Sequence, residues 1–148
     1  MYQKKFMDIA YKESMKAFKE NEVPIGAVIV KDGTVISRAH NQKEKKQCSL
    51  AHAELLAIRK ASKKLNNWRL TNCEIYVTLE PCPMCASAIH QARISKIYYC
   101  VARDKNDNSA IIQNILADNN ANHPVEIEVV EYDENLKNHL QDFFKKKR

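Results

Sequence analysis

Two short patterns rich in metal-binding side chains constrain this 148-residue chain more than any other feature. The first is residues 52–54 (H-A-E), and the second is residues 81–85 (P-C-P-M-C). The imidazole of His52 and the thiolates of Cys82 and Cys85 are ligands of the kind that Zn²⁺ prefers. Three ligands leave the fourth tetrahedral position open, which is typical of a catalytic zinc site, whereas a structural site needs four. The fold must therefore bring these three side chains together.

Each pattern is predicted to stand at the start of a helix. Proline favours the first turn of a helix and directly follows Cys82, so Cys82 and Cys85 should share one face near the positive helix end. That position favours thiolates. Residues two apart do not share a face of a regular helix. His52 and Glu54 can therefore converge only if His52 lies at the helix boundary, and we predict that it does.

Either pattern alone would be weak evidence. A lone H-x-E pattern usually carries no function, and a lone C-x-x-C pattern can be redox-active or half of a structural zinc knuckle. Together and in this order they predict one catalytic zinc ion, which lowers the pKa of a bound water to about 7. Glu54 is then the general acid–base that takes the proton of this water and passes it to the substrate. The other cysteines are predicted to be small hydrophobic residues or surface thiols: Cys48, Cys73 and Cys100.

Hydrophobic periodicity and turn residues predict a single α/β domain over residues 1–148, with a basic tail at 145–148. The dipeptide Asp32-Gly33 favours a tight hairpin turn, and the strand–helix–strand order over residues 74–101 implies a parallel crossover. We expect three layers, with a five-stranded mixed sheet between helices on both faces. The predicted strands are 25–30, 34–38, 74–79, 96–101 and 125–130, and the predicted helices are 2–20, 52–64, 83–91, 110–116 and a last one capped by Asp133.

Charge and composition narrow the possible partners. The formal net charge is +6, and four of these charges lie in the last four residues. Such a tail can contact phosphates, or it can be a solvated chain end, and the sequence is compatible with both interpretations.

The longest apolar run, 23–30, is shorter than the roughly 20 residues of a membrane helix, so no membrane segment is predicted. A secretory signal is not recognisable and five unevenly spaced cysteines argue against a disulfide framework, so we expect a cytoplasmic location.

Over almost its whole length the sequence resembles the bacterial tRNA-specific adenosine deaminases of the cytidine/deoxycytidylate deaminase superfamily. The resemblance implies a cytidine-deaminase-like fold and zinc-dependent hydrolysis that turns the wobble adenosine, at the first anticodon position, into inosine. It also implies that a homodimer binds the anticodon stem–loop of a tRNA. The blocks that carry the resemblance are 22–28 (E-V-P-I-G-A-V), 39–41 (A-H-N), 51–54 (A-H-A-E), 68–70 (W-R-L) and 76–86 (Y-V-T-L-E-P-C-P-M-C-A).

The same resemblance implies substrate contacts. Asn41 corresponds to the asparagine that contacts the flipped adenine, which suits an amide able to donate and to accept hydrogen bonds. After the fourth strand the family has an aspartate at the nucleotide. Here a gapless comparison puts Arg103 at that position and a one-residue shift puts Asp104 there. The other implied contacts are Pro24 and Ile25 in the pocket wall, His123 in a loop near the anticodon, and Phe144 close to the RNA.

Two other functions fit the sequence. A deaminase of a free base or nucleoside, such as guanine or cytosine, would share the fold and the zinc site. The basic, aromatic C-terminus favours RNA, whereas the loop after the fourth strand lacks the family's glycines and leaves room for a small substrate. A non-catalytic, zinc-stabilised RNA-binding module is the third hypothesis. Glu54 argues against it, because a structural zinc site has no need of a carboxylate beside an open position.

Overall fold

The computed structural model describes residues 1–103, 109–118 and 123–147, which form a mixed sheet of five strands with helices along both faces. The elements in chain order are α1 (Lys4–Lys19), β1 (Gly26–Lys31), β2 (Thr34–His40), α2 (Lys43–Lys46), α3 (Ala53–Leu65), β3 (Cys73–Leu79), α4 (Pro83–Gln91), β4 (Lys96–Val101), α5 (Ser109–Ala117), β5 (Glu126–Val129) and α6 (Glu134–Lys147). The strand order is β2-β1-β3-β4-β5. β1 is antiparallel to β2 and β3, whereas β3, β4 and β5 are parallel.

Alternate residues of the strands face two separate hydrophobic layers. In β1, Val28 packs under α1 together with Tyr76 and Tyr98, and the two tyrosine rings stack with their centroids 4.4 Å apart. Its neighbours Ala27 and Ile29 point to the opposite layer, which α3, α4 and α5 cover. This alternation follows from the two-residue period of a strand. The predicted three-layer architecture with a five-stranded mixed sheet is confirmed.

Two glycine-dependent features fix the position of β1. The hairpin to β2 turns at Asp32 and Gly33, as predicted, and both residues have positive φ, 50° and 75°. Positive φ angles are typical of the two-residue hairpin turn whose twist matches the right-handed twist of the flanking strands. At the other end of β1, a Cβ atom built on Gly26 would lie 2.0 Å from the backbone oxygen of Ala10 in α1. Any larger residue at position 26 would therefore push α1 away from the sheet.

The sequence patterns predict nearly all of these elements to within two residues, but they do not predict α2. This helix has only four residues and none of them is buried, so it leaves no apolar periodicity to detect. Within the three described ranges, no helix combines the length and the apolar character needed to cross a membrane.

A buried carboxylate joins α1 to the end of β2. Glu13 is 3% exposed, its Oε1 atom lies 3.0 Å from His40 Nδ1, and its Oε2 atom accepts a hydrogen bond from Lys16 Nζ at 2.7 Å. Burial by itself raises the pKa of Glu13. The hydrogen bonds from His40 and Lys16 outweigh burial and lower the pKa to about 2.

The substitution Glu13→Gln should destabilise the fold at neutral pH but much less in acid. The folded-state pKa of about 2 lies below the ordinary value of 4.5, so the stabilising contribution is complete above the ordinary pKa and is lost as the pH falls toward 2. Urea unfolding at pH 7 should show a loss on the order of 2 kcal/mol. At pH 3 the difference between parent and variant should be clearly smaller. An equal difference at both pH values would contradict this account of Glu13.

Candidate metal centre and active site

The first turns of α3 and α4 bring the predicted site residues close together. His52 is the N-cap of α3, with an extended backbone (φ −78°, ψ 149°), and Glu54 lies in the first turn. Cys82 is the N-cap of α4, and Cys85 lies in the first turn of that helix. The prediction that His52 stands at a helix boundary is confirmed. Both helices direct their positive ends to the site, and this offsets part of the cost of burying negative charge on the thiols and the carboxyl group.

The three candidate metal ligands lie at distances that suit a shared ion. His52 Nδ1 is 3.5 Å from Cys85 Sγ and 3.8 Å from Cys82 Sγ, and all three ligand atoms lie within 4.8 Å of one another. Usual Zn–N and Zn–S bond lengths in a tetrahedral shell separate a nitrogen from a sulfur by about 3.6 Å. The group can therefore hold a metal ion, and its chemistry and spacing fit zinc.

The candidate ligands also shift one another's pKa. The hydrogen bond with Cys85 is the largest cause that lowers the pKa of Cys82 to about 3. The same contact, followed by burial, raises the pKa of Cys85. The hydrogen bond with Cys82 raises the pKa of His52. Cys82 is therefore readily ionised to a thiolate, the form in which cysteine binds metals.

The carboxyl group of Glu54 is buried close to the candidate metal ligands. The residue is 2% exposed, and its Oε1 atom forms no hydrogen bond within the described part of the chain. Burial is the main cause that raises the pKa of this carboxyl group. A buried, unsatisfied carboxylate oxygen costs free energy, so it marks a place where a water or a substrate group belongs. A raised pKa also suits a group that must accept and return a proton near neutral pH.

Asn41 has its side-chain amide held in one orientation. The residue is 4% exposed, and its Oδ1 atom accepts a hydrogen bond from the Ala53 amide at 2.7 Å. Since Oδ1 is engaged by a donor, Nδ2 is the atom left to meet a ligand, and it is a donor only. The backbone amide of Asn41 donates to Ile25 O at 3.2 Å. This contact places Asn41 beside Pro24 and Ile25, both of which are buried.

Two of the three remaining predicted substrate contacts fall within the described residues. His123 is exposed, and its Nδ1 atom lies 3.1 Å from the carbonyl oxygen of Pro124. Phe144 is 45% exposed and packs edge-on against Phe143, with ring centroids 5.6 Å apart. Asp104 lies outside the described residues. The structure therefore brings the metal-binding group, Glu54 and Asn41 together, and it gives His123 and Phe144 positions that an external partner can reach.

Glu80 is a buried residue next to the second pattern, and the sequence patterns did not single it out. It is 1% exposed, and its Oε1 and Oε2 atoms accept hydrogen bonds from the Arg103 amide at 2.9 Å and from the Tyr99 hydroxyl at 3.4 Å. Arg103 in turn donates from Nε to the Glu80 carbonyl oxygen at 2.9 Å. The only feature of the sequence that points to Glu80 is its position directly before Pro81, the first residue of the second pattern. Glu80 therefore ties the start of the loop after β4 to the segment that leads into the second pattern.

Comparison with protein families and sequences gives a consistent result. The family model described as MafB19-like deaminase matches residues 1–148. The tRNA-specific adenosine deaminase of Bacillus subtilis (strain 168) is 43% identical over 143 residues, which are 97% of this chain and 89% of that protein. That of Aquifex aeolicus (strain VF5) is also 43% identical, over 97% of this chain and 94% of that protein.

Solved structures with the same architecture include two informative neighbours. One, from a study of A-to-I editing by tRNA:A34 deaminases at the wobble position of transfer RNA, has a TM-score of 0.77 and 38% identity, covering 86% of this chain and 98% of that one. The other, a guanine deaminase from Bacillus subtilis, has a TM-score of 0.67 and 29% identity, covering 98% of this chain and 95% of that one.

Proposed function

The chain belongs to the family of tRNA-specific adenosine deaminases, and from this premise we propose that it hydrolyses the wobble adenosine of a tRNA to inosine and ammonia. The observation that carries the proposal is the buried Oε1 atom of Glu54, which has no hydrogen-bond partner among the described residues and lies beside the group of His52, Cys82 and Cys85. A structural metal site has no use for such an oxygen, whereas a hydrolytic site needs a proton acceptor there.

We assign one zinc ion per subunit to His52 Nδ1 and to the sulfurs of Cys82 and Cys85. When bound, zinc lowers the pKa of a water at its open position to about 7. Glu54 Oε1 accepts the proton of the attacking water and delivers it to the ring nitrogen next to the reacting carbon. Glu54 then moves the second hydrogen of this water, which stands on the oxygen newly bonded to the carbon, to the amino group. The carbon–nitrogen bond breaks and ammonia leaves. Asn41 Nδ2 donates a hydrogen bond that orients the base.

The C-terminal helix supports RNA as the substrate. Phe144 exposes 45% of its surface and is followed by Lys145 and Lys146, so an aromatic face stands next to positive charge. Bases of a single-stranded loop stack on such aromatic side chains while the phosphates contact the lysines. By family membership we further propose a homodimer that binds the anticodon stem–loop across its interface, in the cytoplasm.

The variant Phe144→Ala tests this RNA contact. We expect the KM for an anticodon stem–loop to rise about tenfold and kcat to stay within about threefold, because stacking on one base is lost without a change in the chemistry. Val129→Ala is the matched control, since Val129 is 58% exposed and lies on β5. If both variants show the same KM, Phe144 does not contact the RNA.

The competing function is deamination of a free base, which the structural likeness to a guanine deaminase favours. The two functions are distinguished by incubating the purified protein with an anticodon stem–loop and, in separate reactions, with guanine and with cytosine. Release of ammonia from the RNA supports the proposed function. Release of ammonia only from the free bases would overturn it.

A further inference from the structure

Glu22 is a buried acidic residue between the end of α1 and the start of β1, with 2% of its surface exposed. Its carboxylate reaches the segment that follows β2. Oε1 accepts a hydrogen bond from the Glu44 amide at 3.0 Å, and Oε2 accepts one from the Lys45 amide at 2.8 Å. Both bonds are charge-assisted, and a carboxylate that uses each oxygen for a different amide has a fixed orientation.

The segment that Glu22 holds has weak anchors of its own. The side chains of residues 43–50 are all exposed, so burial of apolar groups does not fix them. In the described part of the chain, Gln42, the N-cap of α2, makes no side-chain capping hydrogen bond, and an isolated helix of one turn is unstable in water. An N-cap side chain normally accepts hydrogen bonds from the first free amides of a helix. In α2 the carboxylate of Glu22, from another part of the chain, accepts them instead.

Both ends of this segment belong to the candidate site. Asn41 precedes it and His52 follows it, and the Gln42 amide closes the loop by donating to Ala51 O at 3.0 Å. The ring of His52 has the two cysteine sulfurs as close neighbours. Asn41 is held by its backbone amide, which donates to Ile25 O, and by its Oδ1 atom, which accepts from the Ala53 amide. The second bond orients the side chain and spans the two ends of the segment. A loss of order in the segment should therefore disturb Asn41 more than His52.

We propose that Glu22 is a positioning residue for the reaction. Its carboxylate holds the backbone of residues 43–50 and thereby keeps Asn41 where it meets the substrate base. The inference rests on the proposed function, which gives Asn41 its role. Since Glu22 acts on substrate binding through Asn41, its loss should change KM more than kcat.

The test compares Glu22→Gln with Glu44→Gln. The first keeps the size of the side chain but puts an NH₂ group against a backbone donor, and the second makes the same change on an exposed side chain of α2. We expect Glu22→Gln to raise KM about tenfold and to leave kcat within about threefold, with unchanged zinc content. Amide exchange at residues 44 and 45, followed by NMR, should become faster in Glu22→Gln only.

The outcomes decide between positioning and a general structural role. The proposal would be overturned by an unchanged KM with a kcat that falls in proportion to the fraction of folded protein. Unchanged amide exchange at residues 44 and 45 would overturn it as well. Should Glu22→Gln not fold, Glu22→Asp replaces it, with the same expected pattern because the shorter side chain reaches only one amide. Kinetics are measured on the substrate from which the parent protein releases ammonia. The choice of substrate by the parent protein therefore tests the proposed function. The ratio of KM between Glu22→Gln and Glu44→Gln tests the role of Glu22.

Discussion

The substitution Glu54→Gln is expected to abolish deamination while zinc stays bound. Glutamine has the size of glutamate but cannot accept and return a proton, and loss of a general acid–base typically costs about 10²- to 10⁴-fold in rate. The metal ligands are not changed, so the zinc content of the purified variant should equal that of the parent. The rate of ammonia release and the metal content are measured on the same preparation.

The stability of Glu54→Gln provides a second, independent readout. The parent residue is 2% exposed, and one of its oxygens has no hydrogen bond to any residue that the structure describes, an arrangement that favours function over stability. A neutral amide is easier to bury than a carboxylate, so the variant should unfold at the same temperature as the parent or at a higher one. Glu44→Gln, an exposed change of the same type, serves as the control for both readouts. Full turnover by Glu54→Gln would show that another group moves the proton.

Removal of one sulfur from the site should have the second-largest effect. Cys85→Ala is expected to lose bound zinc and with it all measurable activity, because two protein ligands do not hold the ion firmly. Cys73→Ala is the matched control, since both cysteines are fully buried and Cys73 lies in the hydrophobic core away from the metal-binding group. The control should lose about 1–2 kcal/mol of stability through the cavity it leaves, and it should retain its zinc.

Metal analysis by mass spectrometry distinguishes the two cysteine variants. A full complement of zinc in Cys85→Ala would remove this residue from the ligand set. A loss of zinc in Cys73→Ala would show that core stability, and not coordination, controls the metal content. For the parent, a chelator should abolish activity, and added zinc should restore it.

The features that could be predicted from the sequence are those with a local physical cause. The Asp32-Gly33 turn was predictable because two positive φ angles suit few other dipeptides. The position of His52 at the start of α3 followed from the two-residue spacing to Glu54, which a regular helix cannot bring to one face. The mixed, five-stranded sheet followed from the hairpin at Asp32-Gly33 and from the order of strands and helices.

The features that escaped prediction depend on contacts between distant parts of the chain. Glu22 holds the amides of Glu44 and Lys45, and a bond between a carboxylate and a backbone group leaves no sequence periodicity. Glu80 is similar, since its partner Arg103 lies 23 residues further along the chain. The orientation of Asn41 also depends on the Ala53 amide. Such contacts become visible only when the fold has brought the segments together.

The account is tested most directly by mapping inosine in a treated RNA. An anticodon stem–loop that carries adenosine at the first anticodon position and at a second loop position is incubated with the zinc-loaded protein, and each position is then identified by mass spectrometry after nuclease digestion. We predict inosine at the first anticodon position, adenosine at the other, and one ammonia released per inosine. Unchanged RNA, in the presence of a protein that holds zinc and releases ammonia from guanine or cytosine, would contradict the account.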